Sequence, residues 1–338
     1  MALVFLCSNL SAQETESDEN VKASPFEISF REWDEKIPVK TTGGLVFWGD
    51  VLFYRDYHIQ KGVRRGNYRL LDGQSIQRAF GTFAECEERL NEIIAEDGLL
   101  PMSGRVVFLL HGFGANALMM RHLGQWLRET GDYDYVCCVT YPSTMQPLLE
   151  HATMLDSIIK RLPPTVNKID FVGHSFGCIV IRRYLSGPLD KDWRAPADPL
   201  AARKDYTPDK RIGRLVMLGP PNHGAEIATK LIGKNVINRA ITGASGDELG
   251  TQWKETVKSL GIPACSFGVI SGGKGAERGY SFLIEGDNDG IVSTEGTKLD
   301  GMDDWLFFKL GHGALLMTDE VFQATHQFLQ TGTFQKER

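Results

Sequence analysis

The chain has 338 residues, 42% hydrophobic and 24% charged, which suits a globular protein of one large domain or two modest ones. A net charge of −6 gives no general attraction for nucleic acid or an anionic membrane. No internal repeat and no apolar run of transmembrane length is present. The six cysteines include no C-x-x-C pair, which argues against a thiolate metal site and a disulfide framework. Cys137, Cys138 and Cys178 lie in apolar stretches and read as small buried hydrophobes.

At the start, Ala2 to Leu10 is apolar, Leu10-Ser11-Ala12 could precede a signal-peptidase cut, and an acidic stretch follows from Gln13 to Asn20. The apolar run is short and has no Lys or Arg before it. A signal peptide and a disordered tail both stay open, with export (periplasmic or secreted) preferred to a cytoplasmic location. Residues 41–72 read as antiparallel strands, with the aromatic and β-branched run Leu45–Tyr54 and a partner at Tyr68–Leu71. Thr82 and Glu85 form a capping box, and Phe83, Cys86, Leu90, Ile93 and Ile94 then share one helical face.

From residue 105 the pattern changes. Apolar runs at Arg105–Leu110, Tyr135–Tyr141, Lys168–Val172, Leu215–Leu218, Cys265–Ile270 and Trp305–Leu310 suit strands buried on both faces of a parallel sheet. Helical stripes lie between them. One is Met119, Leu123, Trp126 and Leu127; the next is Leu148, Leu155, Ile159 and Leu162; the last is Val321, Phe322, Phe328 and Leu329. This alternation predicts a doubly wound, mostly parallel α/β sheet carrying an N-terminal antiparallel β-rich extension. Residues 186–211 and 219–264 break the alternation and read as excursions placed to cap a site.

Ile169-Asp170-Phe171-Val172 runs into Gly173-His174-Ser175-Phe176-Gly177 and then into helical sequence. A serine projecting from so tight a strand-to-helix turn needs glycines beside it, and the helix start brings positive dipole to a developing oxyanion. Ser175 is the candidate nucleophile; a plain glycine turn is the alternative. His174 reads as structural. The strand ending at Leu110 enters His111-Gly112-Phe113-Gly114, a loop able to bring a main-chain N–H beside that turn. Phe113 and Phe176 are the expected oxyanion donors.

These two motifs resemble the α/β-hydrolase superfamily, in particular its lipase and esterase members. Leu218-Gly219-Pro220-Pro221-Asn222-His223-Gly224 resembles a loop of bacterial lipases and GPI-deacylase-like hydrolases, with Pro220 where such loops usually carry Thr. The resemblance covers about residues 105–330; residues 21–100 match no named family, and their hairpin is expected to supply the antiparallel first strands of such folds. It implies a triad in the order serine, acid, histidine. Gly286-Asp287-Asn288-Asp289-Gly290-Ile291-Val292 resembles the acid-bearing segment. The role is carried onto Asp289, with Asp287 as fallback and turn formation as the plain reading of either. Gly311-His312-Gly313 then supplies the base, with His223 as its rival. His326 reads as a surface or core residue, and His58, His122 and His151 have no supporting context.

The organisation read from the chain is a tail or signal peptide at 1–20, a hairpin and helix extension at 21–100, and an α/β-hydrolase catalytic domain at 101–332. The resemblance implies a serine esterase or lipase acting through an acyl-enzyme on Ser175, with no metal or organic cofactor. Phe113, Phe176, Leu118, Met119 and Met120 suggest an apolar acyl pocket, or simply core. The expected partner is a small-molecule or lipid ester, with transient contact at a lipid interface and no nucleic acid. Thioesterase, amidase and acyltransferase chemistry use the same triad, and a non-catalytic binding protein of this fold is the reading from another class.

Overall fold

The computed structural model describes residue 41 and residues 47–195, 208–224 and 244–335. The tail read at 1–20, residues 21–40 of the extension, and parts of both expected cap segments (196–207 and 225–243) lie outside them. Residues 38–338 form one compact unit.

Four strands, β1 (Trp48–Tyr54), β2 (Tyr57–Gly62), β3 (Tyr68–Leu71) and β4 (Gln77–Gly81), make an antiparallel meander in chain order. Helix α1 (Phe83–Glu96) lies across it. Its start is fixed as the sequence predicts: the Thr82 hydroxyl accepts from Glu85 N–H, and the Glu85 carboxylate accepts from Thr82 N–H. The period-two face of the strands (Leu52, Ile59 and Leu70) meets the helical stripe Cys86, Leu90 and Ile93. Each fully buried aliphatic side chain here stabilises by roughly 1.5–3 kcal/mol.

The main sheet holds six parallel strands: β5 (Gly104–Leu110), β6 (Tyr135–Val139), β7 (Val166–His174), β8 (Ile212–Leu218), β9 (Ser266–Gly272) and β10 (Asp304–Phe308). Every apolar run singled out in the sequence supplies one. Their spatial order is β10-β9-β8-β7-β5-β6. The chain therefore reverses its direction of travel across the sheet at β5 and β7, and a crevice opens beyond the carboxyl ends of such a pair. Helices α2 (Arg121–Glu129), α3 (Leu148–Arg161), α4 (Phe176–Ser186), the short α5 (Trp253–Thr256) and α6 (Asp319–Thr331) follow in chain order. One core lies beneath α3 and α4, around Phe108, Phe171 and Ile179, and a second beneath α2 and α6, around Val107, Val172 and Phe328. This is the α/β-hydrolase fold with an N-terminal antiparallel extension.

Four details differ from the sequence reading. Tyr68–Leu71 is not the partner of the first strand: β2 lies between them and pairs with both β1 and β3. The antiparallel strands do not extend the main sheet. They form their own, joined to the end of β6 where Asp50 N–H donates to the Thr140 carbonyl (2.9 Å) and the Asp50 carboxylate accepts from Thr140 N–H (2.6 Å). Met119 is not on α2, which begins at Arg121; it lies half-exposed in the preceding 3-10 turn Ala117–Met120. Strand β4 had no sequence signal because Arg78 and the short run around it do not alternate cleanly. Within the two excursions, Ala195 N–H donates to the Lys258 carbonyl (2.7 Å), so their described parts lie side by side.

Candidate active site

Ser175 sits between β7 and α4 with φ 54° and ψ −122°. Few non-glycine residues tolerate a positive φ, and such strain persists only where the surroundings hold it. Here Ser175 N–H donates to the Leu218 carbonyl (2.9 Å) and its own carbonyl accepts from Cys178 N–H (3.0 Å). The flanking glycines are needed for contact. A Cβ on Gly177 would sit 2.6 Å from the His111 carbonyl oxygen, and one on Gly173 would sit 2.6 Å from the Cys178 nitrogen. The turn thus presses against the end of β5 and aims the serine out of the sheet.

The loop after β5 lies directly against this turn: a Cβ on Gly112 would be 3.1 Å from that of Ser175. His111 braces the loop. Its Nδ1–H donates to the Gly112 carbonyl (2.8 Å), Nε2 accepts from Tyr141 N–H (3.4 Å), and the Tyr141 hydroxyl donates to the His111 carbonyl. Burial pushes His111 down to about 4, so it stays neutral. Gly114 N–H is taken by Ser143 Oγ (3.0 Å). The N–H groups of Phe113 and Phe176 donate to no acceptor among the described residues. The second belongs to the first turn of α4, where helix N–H groups lack internal partners. The Phe176 side chain is buried core against Tyr141 and His151, and Met120 is buried under α2. Of the two readings left open, these two side chains take the core one; Leu118 and Met119 are exposed.

Asp289 and His312 come together from the loops after β9 and β10. His312 Nδ1–H donates to Asp289 Oδ2 at 2.6 Å, which leaves Nε2 as the basic nitrogen. The other carboxylate oxygen accepts from Ile291 N–H (2.9 Å) and Val292 N–H (2.8 Å), so the buried charge is satisfied. Asp287 points elsewhere: it accepts from the main-chain N–H groups of Lys274 and Gly275 (2.8 Å each), and so orders a turn. His174, next to the serine, donates from Nε2 to the His312 carbonyl (3.1 Å), with ring centroids 4.7 Å apart. Burial, with His312 beside it, pushes His174 down to about 3. Ser175 Oγ makes no hydrogen bond to another described residue, and catalytic contacts of this kind commonly tighten only around substrate.

The other histidines fall as read. His223 is exposed and bonds the Lys298 carbonyl (3.0 Å), ordering its own loop. His326 lies on α6 against Tyr133 and Asp132. Two site residues escaped the sequence reading. Gly219, at φ 56°, leaves little room for a side chain: a Cβ would lie 3.1 Å from His312 Nδ1 and 3.3 Å from Asp289 Oδ2, so the imidazole would have to shift. Arg182 is buried on α4 and donates to the carbonyls of Gly261 (2.8 Å) and Asn222 (3.3 Å), pinning the loop after Gly219. Gly219 had a signal, as a glycine at a strand end; an arginine spent on carbonyls leaves none.

No protein-family model matches the sequence, and no curated protein matches it. Solved structures are similar in fold. The mature lipase BlEst2 of Bacillus licheniformis aligns over 68% of this chain and 94% of its own at 17% identity, with a TM-score of 0.47. The metagenomic carboxyl esterase MGS0156 aligns over 63% and 67% at 16% identity, TM-score 0.41. A hydrolase of Oleispira antarctica aligns over 68% and 93% at 15% identity, TM-score 0.41.

Proposed function

We propose that the chain is a serine hydrolase of carboxylic esters, an esterase or lipase in activity, with Ser175 as nucleophile, His312 as base and Asp289 as the acid that orients it. The observation that carries this reading is the Asp289–His312 pair at 2.6 Å, held against Gly219 and His174 beside a serine at positive φ. His312 Nε2 takes the serine proton as Oγ attacks the acyl carbonyl. The N–H groups of Phe113 and Phe176 receive the charge on the carbonyl oxygen. His312 then returns the proton to the departing alcohol, leaving an acyl-serine. Water, deprotonated by His312, releases the acid and restores Ser175.

Hydrolysis of p-nitrophenyl esters of increasing chain length tests the activity and its acyl preference together. Turnover by the wild type that Ser175→Ala abolishes supports the proposal; turnover of no ester in the series, or equal turnover by the variant, contradicts it.

A further inference from the structure

A cavity of about 780 Å³ lies between the antiparallel sheet and the outer edge of β6, away from every residue of the candidate triad. One wall is the sheet's two turns, with Arg55, Asp56, Tyr57, His58, Asp72 and Arg78; the other includes Asn116–Leu118, Arg121 and Arg128. Four guanidinium groups therefore face two carboxylates. Asp72 is already spent on Arg78 (2.5 Å) and on the N–H groups of Gln74 and Ile76 (2.9 Å each). Arg128 donates to the neutral Val136 carbonyl (2.7 Å), and Arg55 to the Leu100 carbonyl (3.3 Å) and the Tyr135 hydroxyl (3.4 Å), so both keep their full charge. Arg121, exposed at the junction of the 3-10 turn and α2, makes no ion pair or hydrogen bond through its side chain among the described residues. Excess positive charge gathered in one groove is notable in a chain of net charge −6.

His58 sharpens the picture. Its Nδ1 donates to the buried Asp50 carboxylate (2.6 Å), which fixes the ring and leaves Nε2 as the remaining ring nitrogen. Cationic donors thus stand on opposing walls, with Arg55 on one side and Arg121 and Arg128 on the other, while His58, its ring proton given to Asp50, presents Nε2 only as an acceptor. A planar carboxylate satisfies one fork, whereas a tetrahedral phosphate offers acceptors in several directions. We propose that this groove binds a phosphate group, free or as a phospholipid head group, with Arg121 and Arg55 as its main charge partners.

The test uses the full chain with inorganic phosphate in titration calorimetry, and sedimentation with phosphatidylcholine vesicles with and without phosphatidylglycerol. The variants are Arg121→Ala and Arg55→Ala, with Arg89→Ala on the exposed face of α1 as control, all checked for an unchanged melt. The proposal expects phosphate binding weakened about tenfold or more by each groove variant and left alone by the control. Sedimentation only with phosphatidylglycerol vesicles, lost in Arg121→Ala, assigns the head group as the source. Phosphate binding without sedimentation assigns the free ion, and both outcomes support the site. A wild type that binds neither probe overturns it, as does binding of either probe that Arg121→Ala and Arg55→Ala leave as intact as Arg89→Ala does.

Discussion

Two histidine–aspartate pairs in this molecule have the same local geometry. His312–Asp289 and His58–Asp50 each close at 2.6 Å through Nδ1, each with the carboxylate fully buried and the imidazole slightly exposed. Their surroundings differ. Beside His312 lies His174, which leads into a serine held at positive φ, and the Phe176 N–H that follows donates to no acceptor among the described residues. His58 shares its cavity with a serine at positive φ too, Ser75 (φ 61°), but that serine belongs to the turn between β3 and β4, its N–H donating to the Asp72 carbonyl, and starts no helix; Asp50 also accepts from Gln60 (2.8 Å) and Thr140 N–H (2.6 Å), clamping the antiparallel sheet to β6. A buried carboxylate–imidazole pair is therefore a general part. The proposed chemistry of the His312 pair rests on the helix-starting serine turn beside it, which the His58 pair lacks among the described residues.

The comparison can be broken in several ways. The largest effect is expected at the Asp289–His312 pair. Asp289→Asn should lower kcat by about 10⁴-fold with little change in KM or melting temperature, because the wrong tautomer is favoured while the shape is kept. Asp287→Asn should cost far less, since Asp287 holds only a turn. Asp50→Asn should be read in stability instead, with a loss of about 3 kcal/mol in denaturant unfolding for a disrupted buried network. If Asp50→Asn silenced turnover without destabilising, the division between the pairs would be wrong. Gly219→Ala should lower kcat by roughly 10–100-fold through displacement of the imidazole, with KM near the wild-type value.

A further effect, on stability rather than turnover, concerns pH. His111, His151 and His174 are buried and pushed down to about 4, 3 and 3. Below the unfolded pKa, near 6.5, the unfolded chain binds protons that the folded chain refuses, so stability present at neutral pH is lost as pH falls toward the folded values. Each histidine should remove roughly 2 kcal/mol between pH 7 and pH 5 in urea unfolding. Glu248 works in the opposite sense, as burial raises it to about 6, so its contribution is present at low pH and fades as pH rises from about 4.5 through 6. His174→Gln should flatten the acid loss by about one histidine's share.

Much of this was legible in the chain. Strands buried on both faces leave continuous apolar runs, and all six parallel strands were read that way. The Ser175 turn was legible because its glycines are forced by backbone contact, which few other residues satisfy. The choice of Asp289 over Asp287 was open in sequence, because both sit in a turn-forming run; only the direction of each side chain separates them. The separate antiparallel sheet was not legible, since strand partners are set by long-range pairing that local pattern does not record, and the sheet meets the end of β6 through Asp50–Thr140 and Arg55–Tyr135. The choice between acyl pocket and core was open for a related reason. Phe176 and Met120 are apolar and near the motifs, but a helix turns them inward, and sequence distance does not record which way a side chain points.

The central claim, that Ser175 is the activated nucleophile, is tested most directly by fluorophosphonate labelling followed by mass spectrometric mapping of the adduct. The account predicts one adduct, on Ser175, absent from Ser175→Ala and formed much more slowly in Asp289→Asn. A wild type that takes no label, or an adduct that persists in Ser175→Ala, would contradict it.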